Sequence, residues 1–155
     1  MPALATASGR LTVPGPASEM VMQASVVAIE GRALAIRGPV GSGKSTLALA
    51  LIDRGAHLIG DDAATLHRDA ERIIASPPPN IAGLIEVRGI GLVEMPIGGS
   101  VPLSLILDLG QAAERLPETI PQHDILGLNV PCLNFEPGSI APALRAEWAL
   151  RQHGL

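Results

Sequence analysis

At 155 residues, 47% of them hydrophobic, the chain has the length and apolar content of one globular domain with a core of its own. A formal net charge of −4, with Lys44 the only lysine and no block of basic residues, argues against a nucleic-acid-binding surface. Phe135 and Trp148 are the only aromatic side chains, so the core must come from Ala, Val, Leu and Ile, with no row of rings for stacking single-stranded bases.

The single cysteine, Cys132, cannot form an internal disulfide and reads as a small core residue of a reducing, cytoplasmic protein. No run of eighteen apolar residues predicts a membrane span. Residues 1–18 lack the basic and apolar regions of a signal peptide. The span 1–20, rich in Pro, Gly and small polar residues, reads as a flexible leader, and 21–155 as a single domain.

In chain order, 21–29 reads as a first strand that turns at Glu30-Gly31 into a second strand over 33–37, a connection short enough to require an antiparallel hairpin. Gly38-Pro39-Val40-Gly41-Ser42-Gly43-Lys44-Ser45-Thr46 then fits G-x-x-x-x-G-K-[ST], between an apolar strand and the helix-like run 47–52. Its glycines let successive backbone N–H groups face one concavity, and the helix start adds its positive dipole end, a combination that cradles phosphate. Lys44 is placed for the β- and γ-phosphates of a nucleotide and the Ser45 hydroxyl for Mg²⁺. The helix is expected over 44–54, with Gly55 beyond its end and Arg54 in its last turn.

The run 57–60 reads as a strand delivering Asp61 and Asp62 at its C-terminal end. Residues 63–75 read as an edge strand or hairpin, and Ser76-Pro77-Pro78-Pro79-Asn80 as extended loop. Over 81–95 glycines and charges interrupt an apolar stretch, and 101–109 is a buried central strand ending near Asp108. Residues 114–118 are polar loop and 131–135 a short strand. Ser139 is expected to cap a last helix over 140–152 that buries Ile140, Ala143, Leu144 and Trp148.

Phosphoryl transfer needs acids beside the phosphate loop. Two apolar runs supply one: 58–59 before Asp61-Asp62, and 105–107 before Asp108. Neighbouring strand residues face opposite ways, so one member of the Asp61-Asp62 pair should point at the phosphates, and the pattern does not say which. Asp108 reads first as a structural carboxylate capping a turn and second as a catalytic acid. Glu86 and Arg88, set among Leu84, Ile85 and Val87, read either as a partly buried loop at the site or as a plain ion pair. The four histidines have no metal-ligand spacing and read as surface or structural residues.

The blocks 38–46, 51–62 and 86–91, the last reading Glu-x-Arg-Gly-x-Gly, together resemble the C-terminal domain of HPr kinase/phosphorylase, from about residue 23 onward. The resemblance implies an α/β fold: a mixed, largely antiparallel sheet with a P-loop, similar to phosphoenolpyruvate carboxykinase. It also implies an ATP- and Mg²⁺-dependent serine kinase acting on an HPr-like phosphocarrier, in a homo-oligomer that by the same resemblance is a hexamer. By the same resemblance, Asp62 is the base that takes the serine proton, Lys44 and Arg115 meet the phosphoryl charge, and Ser45, Glu86 and Asp61 hold Mg²⁺. The chain departs from the family pattern at Val40, Thr46, Gln23 (a histidine in the family) and Ser139 (an arginine), which bears chiefly on the reverse, phosphorylase direction. A nucleotide-sensing module without catalysis and a small-molecule kinase are the rival readings.

Overall fold

The computed structural model describes residues 18–80 and 82–155. The remaining part of the expected leader, 1–17, lies outside the described residues. A strand, β1 (Glu19–Met22), begins inside the span expected as leader, and a second, β2 (Ser25–Ile29), follows it after a break at Gln23-Ala24. The single strand expected over 21–29 is therefore two, serving different parts of the sheet: β1 pairs with β5 (Ala64–Asp69), β2 with β3 (Arg32–Arg37) and β4 (His57–Gly60).

The β2–β3 hairpin is as expected. Glu30 and Gly31 both have positive φ, 51° and 80°, the geometry that two-residue loops use to follow the strand twist. Helix α1 (Lys44–Asp53) follows the loop; Arg54 sits at its C-cap, and Gly55 takes the left-handed position with φ 112°. Arg54 does not act within the last turn. Its guanidinium reaches across to Glu147, with bonds of 3.0 and 2.9 Å, and ties α1 to the last helix.

Beyond β4 and β5 come β6 (Arg72–Ser76), β7 (Leu84–Val87), β8 (Gly91–Glu94), β9 (Val101–Asp108), β10 (Gln122–Ile125), β11 (Leu128–Asn134) and α2 (Pro142–His153). The main sheet runs β1-β5-β6-β9-β3-β2-β4, with β11 beside β9 and β10 beside β11; β7 and β8 form a separate hairpin. Among the strands of the described residues, only the β3–β9 and β9–β11 pairings are parallel, so the sheet is mixed and largely antiparallel.

β9 is the central strand the sequence predicts. Its start pairs with β6, its end with β11, and β3 runs along its other side. Leu105 and Leu107 join Leu34, Ile36 and the two helices in one core cluster, while Leu103 and Ile106 join Ala33 and Ala35 in a second cluster on the opposite face. Each of these leucines or isoleucines is at most 1% exposed, and burial of one contributes about 1.5–3 kcal/mol.

The last helix differs from expectation. Ser139 makes no capping bond; the N-cap is Ala141, and Pro142 fixes the start because it fits the first helical turn and needs no N–H partner. The buried stripe is Ala143, Ala146, Ala149 and Leu150, and Ile140, Leu144 and Trp148 are exposed.

Candidate active site

The phosphate loop takes its shape from close approaches. A Cβ on Gly38 would stand 2.6 Å from Ser42 Oγ and 3.0 Å from Leu109 O, so no larger residue fits there. Gly41 and Gly43 adopt φ of 84° and 98°, and Ser42 N donates to Pro39 O at 3.1 Å. The first bond of α1 runs from Leu47 N to Gly43 O at 2.9 Å. The amides of Lys44, Ser45 and Thr46 precede it and have no partner within the helix, which leaves them to an anion. Among the described residues, buried Ser42 Oγ has no hydrogen-bond partner. Lys44 Nζ lies across the loop's own carbonyls, 2.8 Å from Gly38 O and 3.1 Å from Pro39 O.

The strand-end acids arrive two strands away. A Cβ on Gly60 would fall 1.9 Å from Ala63 O, so the chain doubles back there as only glycine permits, and Asp62 takes a left-handed φ of 68°. Asp61 is buried and fully engaged: Oδ1 accepts from Ser45 Oγ at 2.6 Å and from Ser25 Oγ at 2.9 Å, and Oδ2 accepts from Glu86 N at 3.1 Å. Asp62 instead lines a cavity of about 360 Å³ together with Val40, Gly41, Gly43, Lys44, Ser45, Thr46, Glu86 and Arg88. Both acids thus serve the loop, Asp61 by bracing Ser45 and Asp62 by facing the open space.

Glu86 and Arg88 are neither partly buried nor ion-paired with one another; both are exposed, on β7 and the turn after it, and both line this cavity. Arg115 lies on an exposed loop and lines a different cavity, with Glu114, Leu116, Glu118 and Thr119. Among the described residues, the cation that lines the cavity with Lys44 is Arg88.

Asp108 has another occupation. Arg37, its cross-strand partner, grips it through two bonds of 2.8 and 2.9 Å, and Cys132 Sγ donates to it at 2.9 Å. Burial pushes the Asp108 carboxyl up, but the Arg37 and Cys132 hydrogen bonds outweigh it and hold the group below the ordinary carboxylate range. The same hydrogen bond to Asp108 raises Arg37. Burial, then the carboxylate, push the Cys132 thiol up to about 11. Arg37 Nη1 also stands 3.2 Å from His123 Nε2.

Two participants escaped the sequence reading. Ser25 carries no motif, and only the hairpin register places it beside Asp61. Arg37 did leave a signal: a cation ending an apolar strand needs an anion nearby, and Asp108 ends the neighbouring one.

An oxygen-only donor set, the Ser45 hydroxyl with the Glu86 carboxylate close by, suits a hard divalent cation that keeps waters and phosphate oxygens as its other ligands. Asp61, which already accepts three hydrogen bonds, would steady Ser45 beside the ion.

A mixed sheet with a glycine-rich loop between a strand and a helix, and acids at a nearby strand end, defines the P-loop kinase fold of the phosphoenolpyruvate carboxykinase type. Residues 16–138 match the family model described as the HPr Serine kinase C-terminal domain, and the chain belongs to that family. It is 39% identical over 113 residues to HPr kinase/phosphorylase of Bordetella pertussis, covering 64% of this chain and 37% of that one. Against the enzyme of the same name from Clostridium tetani it is 37% identical over 93 residues, covering 60% and 30%. The solved structure of the Hpr(Ser) kinase/phosphatase from Coxiella burnetii superposes with a TM-score of 0.75 at 29% identity, covering 86% of this chain and 95% of that one. The chain spans about a third of the length of these curated relatives.

Proposed function

We propose that this chain is an ATP- and Mg²⁺-dependent kinase that phosphorylates a serine of an HPr-like carrier protein. The observation that carries the reading is one cavity lined by Lys44, Ser45 and Asp62, with Asp61 hydrogen-bonded beneath Ser45. Asp62 takes the proton of the acceptor hydroxyl as its oxygen forms the new P–O bond, and ADP leaves. Lys44 and Arg88 meet the charge on the transferred phosphoryl group, and the loop amides hold the remaining phosphates. Bound Mg²⁺ would neutralise charge on the phosphate oxygens from its seat on Ser45 and Glu86. Positioning and electrostatics supply most of the acceleration, as in other phosphoryl transfers.

The test is incubation with γ-labelled ATP and a panel of HPr-like carriers, followed by mapping of phosphoserine. Lys44→Ala should weaken both nucleotide binding and transfer. Tight ATP binding with no transfer to any carrier would favour a nucleotide-sensing module.

A further inference from the structure

The phosphate cavity accounts for one end of a nucleotide, and the order of the strands says where the other end goes. Along β4-β2-β3-β9-β11 the acids stand on β4, to one side of the loop that follows β3. A triphosphate whose terminal phosphate faces Asp62 runs its nucleoside the other way, over the C-terminal ends of β9 and β11, where ligands of open α/β sheets sit. Those ends are fastened to the loop. Leu109 N donates to Arg37 O at 2.8 Å, Phe135 N donates to Asp108 O at 2.9 Å, and a Cβ on Gly110 would come within 2.9 Å of the Pro39 ring. Two strand spacings, about 10 Å, separate the start of the loop from Phe135.

Beside Phe135 lies a cavity of about 300 Å³ between the loop after β9, the end of β11 and a stripe of α2 that reaches Gln152 and His153. Its lining includes both aromatic side chains of the chain, Phe135 and Trp148. The Arg145 guanidinium stands 4.8 Å from the centre of the Phe135 ring, and Arg151 stands 5.1 Å from the Trp148 ring. Trp148 remains 56% exposed, a large apolar surface with a planar face. The Asn134 and Gln152 amides, which also line the cavity, can each donate and accept along the edge of a base.

We propose that this cavity is the base subsite for the nucleotide whose phosphates the P-loop holds, with the base stacked against Trp148 and Arg145. The proposal rests on the phosphate-site reading above and adds a contact that a bare polyphosphate cannot make.

Because Trp148 is the only tryptophan, its fluorescence reports on the cavity directly. The full chain is titrated in parallel with Mg-ATP and with Mg-tripolyphosphate, with calorimetry alongside. Both ligands should bind, and only ATP should change the Trp148 emission. By calorimetry, Trp148→Ala should weaken ATP about tenfold and leave tripolyphosphate unchanged. An equal emission response to both ligands, or ATP affinity untouched by Trp148→Ala, overturns the subsite while leaving the phosphate site intact. Emission that follows protein concentration and ignores nucleotide overturns it in favour of a second copy covering α2. If neither ligand binds the unaltered chain, the phosphate reading fails and the subsite falls with it.

Discussion

β4 and β9 are both apolar strands that carry aspartate at the C-terminal end, β4 running into Asp61 and Asp62 and β9 closing on Asp108. Around Asp61 the partners are two hydroxyls and a backbone amide, all neutral, and the next residue faces an open cavity. Around Asp108 stand a guanidinium, a thiol and, behind the guanidinium, an imidazole. Among the described residues no cation of the protein pairs with Asp61, and Asp62 faces the open cavity; Asp108 is neutralised by its own strand neighbour. What separates a catalytic acid from a structural one is whether a cation of the protein has already claimed it.

The largest effect that would sharpen this contrast is Asp62→Asn. Removal of a general base should lower the transfer rate about a thousandfold while calorimetry finds nucleotide affinity unchanged. A variant that still transfers at the original rate would break the contrast at its catalytic side.

Asp108→Asn should act the other way. It leaves transfer close to that of the unaltered chain and lowers stability in urea by about 2 kcal/mol, because Arg37 loses a charged hydrogen-bond partner. The effect is pH-dependent with a defined sign. A carboxyl held below its unfolded value of about 3.9 contributes its stability above that value and loses it as the pH falls toward the lower folded value. The variant should therefore lose less stability than the unaltered chain between about pH 4 and the acid transition.

The thiol in the same cluster gives a smaller readout. With Cys132 pushed up to about 11, alkylation of the folded chain at pH 8 should be roughly a hundredfold slower than that of a free thiol, and should speed up in urea. The linkage runs opposite to that of Asp108. The unfolded chain gives up this proton first, so stability should decline as the pH rises from about 9 toward 11. The smallest expected change comes from Glu147→Gln, which removes the tie from Arg54 to α2 far from either acid. It should lower the melting temperature less than Asp108→Asn does and leave transfer untouched.

The parts legible in the sequence are those where local chemistry and tertiary structure agree. The phosphate loop with its flanks, the Glu30-Gly31 hairpin, the β4 run into two carboxylates and the continuous apolar run of β9 are of this kind. The rest depended on partners distant in the chain. β10, with the polar stretch Gln122-His123-Asp124, has no apolar alternation and is a strand because β11 is there to pair with it. The start of α2 was misjudged because Ser139 has the chemistry of a cap while Pro142, three residues on, has the geometry of a first turn. Glu86 and Arg88 read either as a partly buried loop at the site or as a plain ion pair, and their exposure was hidden, because nothing local reveals that β7 and β8 form a hairpin apart from the main sheet. Between Asp61 and Asp62 the sequence could not choose, and the answer is a division of labour that depends on Ser25, thirty-six positions earlier.

That serine restricts how the motif can be transplanted. Ser25 meets Asp61 only because β2 pairs with β3 in one register and with β4 in another, and β2 precedes the glycine-rich segment in the chain. Adding or deleting one residue at the Glu30-Gly31 bend would turn Ser25 to the opposite side of the sheet. A graft that carried only residues 32–62 into a foreign scaffold would bring the loop, the lysine and both aspartates, yet leave Asp61 without one of its two hydroxyl donors. The portable unit begins at Ser25, seven residues before the strand that leads into the loop.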